Sequence, residues 1–290
     1  MSITGYQNIY LDVTTMYEIL EKKILSETVK QMTIKAPLVA TKAQPGQFII
    51  LRIDEKGERI PLTIADFDRK KGTVTIIFME VGKTTRQLGE LCQGDSLLNF
   101  AGPLGVPSEI KKYGTVVMIG GGVGIAPLYP IIKALKQMDN TVISILGARN
   151  EKLLLLENEI NKFSDQVYIT TDDGSKGHKG FVSDILQQLI DDKTSIDMVM
   201  AIGPVIMMKV VADVTRKYKI KTLVSLNPIM VDGTGMCGGC RVLVGGETKF
   251  ACVDGPEFDG HLVDFGNLML RNRRFLCEED EACKCAGVEL

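Results

Sequence analysis

The residues best equipped for chemistry sit near the C-terminal end. Residues 231–241 read VDGTGMCGGCR, and Cys252 follows in KFACVDG. Thiolates are soft metal ligands, and glycines let a loop wrap a bound group closely. Three thiols need a fourth ligand to complete a metal or iron–sulfur site. Counting five back from Cys237 reaches Asp232. The spacing Asp232-x4-Cys237-x2-Cys240-x11-Cys252 is then the two-iron C-x4-C-x2-C pattern with a carboxylate in first place. Three alternatives stand beside it. A structural zinc could take the three cysteines and His261. Cys277 or another tail cysteine could be the fourth ligand. Asp232 could simply open the turn at Gly233.

A second candidate is MIGGGVGIAP (118–127), which links an apolar strand to a helix. Its glycines let the backbone approach a ligand, and a helix N-terminus offers free N–H groups to a pyrophosphate. It is not the G-x-G-x-x-G fingerprint, because no glycine follows Gly124 at that spacing. Two further turns, TDDGSKGHKG (171–180) and GPVIMMK (203–209), follow strands of the same segment. Ligands in open α/β sheets bind at the strand C-terminal edge, so three such loops favour a dinucleotide site. For Asp172 and Asp173 the competing reading is ordinary turn chemistry.

A third candidate is RIPLTIAD, with Arg59 before a strand-like run, and EVGKTTRQL (80–88), a glycine and two threonines at a helix entry. Arg59 could neutralise a phosphate, and Thr84 or Thr85 could cap the helix. Read alone, both are equally well a surface arginine and a capped helix. A flavin–nucleotide module beside the cysteines would need a one-electron outlet, which favours iron–sulfur over zinc.

The elements that must position these residues fall into three parts. From Met16 to residue 111, short β-branched runs (YEILEKKILS, VKQMTIKA, QFIILRID, RIPLTIAD, TVTIIFME) alternate with Pro/Gly turns, predicting an antiparallel β-barrel or sandwich. Residues 112–226 alternate strands and helices, predicting a parallel α/β sheet; EKLLLLENEINKF and APLYPIIKALKQM read as two of the helices. Residues 227–290 hold the cysteine loop and an acidic tail, too glycine-rich for a large core, so a bound group would help hold the fold. Residues 1–15 form an extension that fits none of the parts, and Met16 is an alternative start.

The 290 residues are 45% hydrophobic with a net charge of −2. That removes the electrostatic argument for nucleic acid or an anionic membrane as partner. The uncharged run Thr115–Ile132 carries four glycines and two prolines, so it reads as strand, turn and helix rather than a membrane span. The N-terminus has no signal-peptide pattern. With seven cysteines, six of them after residue 236, metal binding or catalysis is a better reading than a disulfide framework. The expected location is the cytoplasm.

RIPLTIAD, MIGGGVGIAP, TDDGSKGHKG, AIGPVIMMK and VSLNPIMVDGTGMCGGCRVLVGGETKFACVDGPEFDGH together resemble the small subunits of NADH-dependent reduced ferredoxin:NADP oxidoreductases. These are electron-bifurcating flavoproteins of the ferredoxin–NADP reductase superfamily, and they are similar to the electron-transfer subunits of dihydroorotate dehydrogenase. The resemblance runs from Met16 to about Asp264. It implies an FAD-binding barrel, an NAD(H)-binding α/β part and a C-terminal [2Fe–2S] part. It implies flavin contacts at Arg59, Pro61, Leu62, Thr63, Phe78, Gly82, Thr84 and Thr85, and nucleotide contacts at Gly121, Gly122, Gly124, Asp172, Asp173 and Gly203. It also implies cluster ligation by Asp232, Cys237, Cys240 and Cys252, with aspartate in the place where the dihydroorotate relatives carry cysteine.

The implied path runs from NAD(H) through FAD and the cluster to a large flavoprotein iron–sulfur subunit that handles NADP(H) and ferredoxin. The same module could instead serve dihydroorotate dehydrogenase, a hydrogenase or a sulfide or polysulfide reductase, and a zinc-stabilised binding protein is the reading from another class. No general acid or base is needed, so His178 and His261 receive no catalytic role. Arg149 and Lys152 in GARNEK could favour a 2′-phosphate, whereas the resemblance favours NAD(H). Cys277, Cys283 and Cys285 match no familiar cluster spacing and read as spare thiols on a solvated, partly disordered tail, the alternative being a second metal or cluster site shared with a partner.

Overall fold

The structure is a computed structural model that describes residues 17–285. The extension at 1–15 and the alternative start at Met16 lie outside the described residues.

The first part is a seven-stranded antiparallel sheet. Its strands are β1 (Tyr17–Ile24), β2 (Val29–Lys35), β3 (Phe48–Arg52), β4 (Ile60–Asp68), β5 (Thr73–Met79), β6 (Ser96–Leu97) and β7 (Asn99–Leu104). Their order is β6-β1-β2-β5-β4-β3-β7. The two edge strands are consecutive in the chain, so the sheet curls until its edges nearly meet, and this near-closure protects them. Alternate residues such as Met32, Ile34, Ile49, Leu51, Val74 and Ile76 fill the interior. Helices α1 (Pro37–Lys42) and α2 (Lys83–Glu90) interrupt the strands.

The second part is parallel. Strands β8 (Thr115–Gly121), β9 (Thr141–Ala148), β10 (Gln166–Thr171), β11 (His178–Lys179), β12 (Met198–Ile202) and β13 (Lys221–Ser225) alternate with α3 (Ile125–Lys136), α4 (Glu157–Asn161), α5 (Val182–Asp191) and α6 (Val205–Tyr218). The sheet order β11-β10-β9-β8-β12-β13-β16 puts β8 where the chain changes direction across the sheet. Such a switch point opens a crevice at the strand C-terminal edge. Apolar strands such as VVMI are buried on both faces, as a covered parallel sheet requires.

One expected helix is mostly absent. In EKLLLLENEINKF the chain makes a single 3₁₀ turn at Glu151–Leu153, and only Glu157–Asn161 is α-helical. Leu155 is drawn into the core beneath α3, and Leu156 takes a left-handed conformation (φ 52°), which breaks the helical run.

The C-terminal part adds a hairpin of β14 (Arg241–Val244) and β15 (Glu247–Phe250), then β16 (Glu257–Asp259), α7 (Phe265–Asn272) and α8 (Leu276–Cys285). Strand β16 pairs antiparallel with β13 and so extends the parallel sheet. Cys240, Val242, Ala251, Cys252, Phe265 and Leu268 share one apolar core with Val117, Ile119 and Val199 of that sheet and with Phe48 and Ile50 of β3. The cysteine segment is therefore anchored to both larger parts. The tail expected to be solvated and partly disordered is helical as far as Cys285, with Cys283 buried and Cys277 exposed. Among the described residues no helix is long and apolar enough to cross a membrane.

Candidate functional site

The nucleotide candidates gather at the C-terminal edge of the parallel sheet. Gly121 ends β8, Gly122–Gly124 form a 3₁₀ turn and α3 begins at Ile125. Gly203 directly follows β12, the neighbouring strand, and the two turns press together. A Cβ on Gly124 would lie 2.5 Å from the Ile202 carbonyl oxygen and 2.7 Å from Gly203 Cα. Both contacts are to backbone, which cannot move aside, so side chains are excluded here by packing. Gly122, with φ +57°, faces open space. Asp172 and Asp173 follow β10 and are exposed. Asp173 accepts the Ser175 N–H at 2.9 Å, and the bonds to Ser175 hold its carboxyl below the usual carboxylate range. Turn chemistry thus accounts for Asp173 in this structure.

The flavin candidates line the barrel. Pro61, Leu62 and Thr63 lie in β4 opposite Ile50, Ile49 and Phe48 of β3. Phe78 is 1% exposed, its ring inside the barrel, which leaves its backbone for any ligand contact. At the entry to α2 the Thr85 hydroxyl accepts the Gly82 N–H at 3.0 Å, so Thr85 is the capping threonine. The buried Thr84 hydroxyl instead donates to Glu58 Oε2 at 2.7 Å. Glu58 carries no sequence signal of its own.

The barrel touches both other sites. Arg59 Nε donates to the carbonyl of Val231, at the start of the cysteine loop, at 3.1 Å. A Cβ on Gly233 would meet Ile50 and Leu104 side chains at 2.7 Å, so this loop lies hard against β3 and β7. A cleft of about 400 Å³ runs along the junction, lined by Leu104, Gly105, Gly233, Thr234, Cys252 and Val253 among others. On the other side, β5 packs against the nucleotide turn and β4 against α3, with Ala65, Ile77 and Val123 in one apolar cluster.

Within the cysteine loop the four candidate ligands form two pairs. Asp232 Oδ2 accepts the Cys237 N–H at 2.9 Å, and Oδ1 accepts that of Thr234. These backbone donors, Thr234 first, hold the Asp232 carboxyl below its usual range, so it is an anion at neutral pH. Cys240 and Cys252 are buried with their sulfurs 3.1 Å apart. Burial and the neighbouring Cys240 thiol push the Cys252 thiol up to about 12. Among the described residues no three His, Cys, Asp or Glu side chains converge on one point.

A two-iron centre takes two protein ligands at each iron, whereas a structural zinc needs four around one ion. The donor set and its pairing therefore fit a two-iron group. The Gly239 N–H lies 3.4 Å from Cys237 Sγ, the kind of backbone bond to sulfur such groups receive. His261, the fourth ligand of the zinc alternative, is tied elsewhere: its Nε2 is 3.0 Å from the Thr215 hydroxyl on α6.

Two residues here escape sequence reasoning. Arg271 on α7 donates to the Gly239 carbonyl at 3.2 Å. Glu257 on β16 is largely enclosed where the barrel, sheet and cysteine segment meet, and Ser108 Oγ donates to it. Burial pushes its carboxyl up to about 7. No spacing in the sequence brings Arg271 to Gly239 or Glu257 to Ser108.

Residues 118–213 match the oxidoreductase NAD-binding domain family, and residues 227–264 match the iron-sulfur cluster binding domain of dihydroorotate dehydrogenase B. An uncharacterised protein of Clostridium beijerinckii is 52% identical over 92% of this chain and 93% of its own. A homologue of the dihydroorotate dehydrogenase B (NAD(+)) electron transfer subunit from Thermotoga maritima is 48% identical over 92% of this chain and 94% of its own. A chain in the structure of the NADH-dependent reduced ferredoxin-NADP oxidoreductase, an enzyme of flavin-based electron bifurcation, superposes with a TM-score of 0.89. It is 46% identical, covering 93% of this chain and 98% of that one.

Proposed function

The chain belongs to the family of electron-transfer subunits that includes those of dihydroorotate dehydrogenase B, and from that premise we propose that it relays electrons between NAD(H) and a larger partner subunit through FAD and a [2Fe–2S] cluster. When bound, the flavin exchanges two electrons with the nicotinamide and one at a time with the cluster, which is the reason for its central position. The chain's own residues bind, orient and insulate. Gly121, Gly122, Gly124 and Gly203 provide a side-chain-free edge for the nucleotide, with Asp172 and Asp173 at its rim. Arg59, Pro61, Leu62, Thr63, Gly82, Thr84, Thr85 and the Phe78 backbone form the flavin surface. Asp232 and Cys237 would hold one iron, Cys240 and Cys252 the other.

The observation that carries this reading is the double contact of the barrel. Arg59 bonds the cysteine loop while β5 packs against the nucleotide turn and β4 against the helix that follows it. A carrier held by the barrel is thereby adjacent to both ends of the path. The division into 16–111, 112–226 and 227–290 follows these three roles, with the last part also lending β16 to the sheet of the second.

The partner in this reading is a large flavoprotein iron–sulfur subunit that handles NADP(H) and ferredoxin. The 46% identity and the TM-score of 0.89 to a chain of an NADH-dependent reduced ferredoxin-NADP oxidoreductase support this partner. Anaerobic affinity purification from cells expressing the tagged chain tests both layers. The expected result is one flavin and about two irons per chain, co-purifying with a larger flavoprotein that carries additional four-iron clusters. A dihydroorotate-oxidising partner would redirect the path, and zinc without flavin would remove it.

A further inference from the structure

The cysteine loop is backed by a cation that the relay does not use. Helix α7 is capped by the Asp264 side chain, which accepts the Asn267 N–H at 2.9 Å, and is seated on the core by Phe265 and Leu268. Arg271 lies one turn beyond Leu268, on the same face. Its Nη2 donates to the carbonyl of Gly239, the residue directly before Cys240. Its Nε is shielded from solvent and has no hydrogen-bond partner among the described residues. A buried donor without a partner is costly, and more so on a charged group. Arg241 and Arg274 add like charge nearby. Nothing acidic among the described residues hydrogen-bonds this guanidinium. A negative group beside Cys240 would compensate it. Three thiolates and a carboxylate around two irons and two sulfides carry net negative charge whether the centre is oxidised or reduced, and more when reduced.

We propose that Arg271 is a positioning residue for the cluster: it fixes the Gly239–Cys240 turn and sets a permanent positive charge behind Cys240, which favours the reduced state. The inference rests on the cluster reading above. A cation within a few residues' reach of the centre, in a partly buried setting, is expected to shift its one-electron equilibrium roughly tenfold. That corresponds to about 59 mV for a one-electron couple.

The test is an EPR-monitored redox titration of the full-length holo chain as wild type, Arg271→Gln and Arg271→Lys, with iron content and flavin potential measured alongside. Arg271→Gln removes the charge and leaves a shorter side chain that still ends in an amide donor. It should lower the cluster potential by about 59 mV at unchanged iron content, and leave the flavin potential in place. Arg271→Lys should stay near wild type. Should Arg271→Gln fail to retain iron, Arg271→Met, which fills the same apolar shaft without charge, takes its place with the same two outcomes. A neutral variant with wild-type potential overturns the proposal, as does a lysine variant that falls as far as the neutral one. A wild-type chain without iron would overturn the cluster reading and this inference with it. A cluster indifferent to Arg271 overturns the inference alone.

Discussion

The nucleotide edge and the cysteine loop are built by opposite means. At the nucleotide edge, backbone does the shaping: strands β8 and β12 end side by side, and glycines at 121, 124 and 203 let their turns interlock. In the cysteine loop, side chains do the shaping, with Asp232 folded onto its own backbone and Cys240 against Cys252. An edge made of backbone exists whether or not a ligand is bound. A loop made of thiols and one carboxylate gathers ligands whose joint arrangement a bound group would complete and stabilise. The two sites should therefore differ in how they fail.

The largest effect is expected from removing one buried sulfur. Cys252→Ser should abolish most iron retention while leaving flavin content and NADH binding near wild type, measured by iron analysis and NADH fluorescence titration. Loss of both functions together would show that the two regions are not separable. Asp232→Cys sharpens the same point, since iron should be retained while the EPR spectrum and potential move. An unchanged spectrum would remove Asp232 from the ligand set.

Next comes Gly124→Ala. Its Cβ would meet backbone at 2.5 and 2.7 Å, so the turns must separate at a cost of about 1–3 kcal/mol. Thermal stability and NADH affinity should fall together, with iron content spared, a pattern opposite to that of Cys252→Ser.

A comparable effect, visible only as a pH dependence, concerns the junction of the two regions. The Glu257 carboxyl sits at about 7 in the folded chain against an ordinary value of 4.5. The folded state therefore binds this proton more tightly, and its contribution is full below pH 4.5 and lost as pH rises through 7. That loss is on the order of 3 kcal/mol. Glu257→Gln should flatten this window in urea unfolding and stabilise the chain at pH 8; a variant less stable at pH 8 would contradict it.

The smallest expected effect is at Arg149, exposed beyond β9. Arg149→Ala should leave NADH kcat/KM within about twofold of wild type. A selective collapse of NADPH activity would assign a 2′-phosphate to this position and reverse the cofactor choice.

The same contrast governs how much the sequence disclosed. The five barrel runs from YEILEKKILS to TVTIIFME and the alternation of strand and helix after residue 112 appear as elements because their burial follows local periodicity. The fold class and the family resemblance agree with the sheets and with the relatives. Periodicity misled at LLLL, where Leu155 belongs to the core and Leu156 breaks the helix. Cysteine spacing named a candidate ligand set but not its pairing, since Cys240 meets Cys252 only through the β14–β15 hairpin. Arg59 with Val231, Arg271 with Gly239 and Ser108 with Glu257 join residues far apart in the chain. Such contacts depend on how the sheets pack and leave no trace in spacing. The acidic tail looked solvated because α8 carries charge on most of its surface, yet Cys283 is buried.

The central claim is that one chain connects a two-electron donor to a one-electron acceptor. Its most direct test is the visible and EPR spectrum of the anaerobically purified full-length chain before and after NADH. Flavin bands and the broad iron–sulfur absorbance should bleach together, and a reduced-cluster EPR signal should appear. A flavin that bleaches while the iron–sulfur absorbance and EPR remain unchanged would contradict the relay through the barrel.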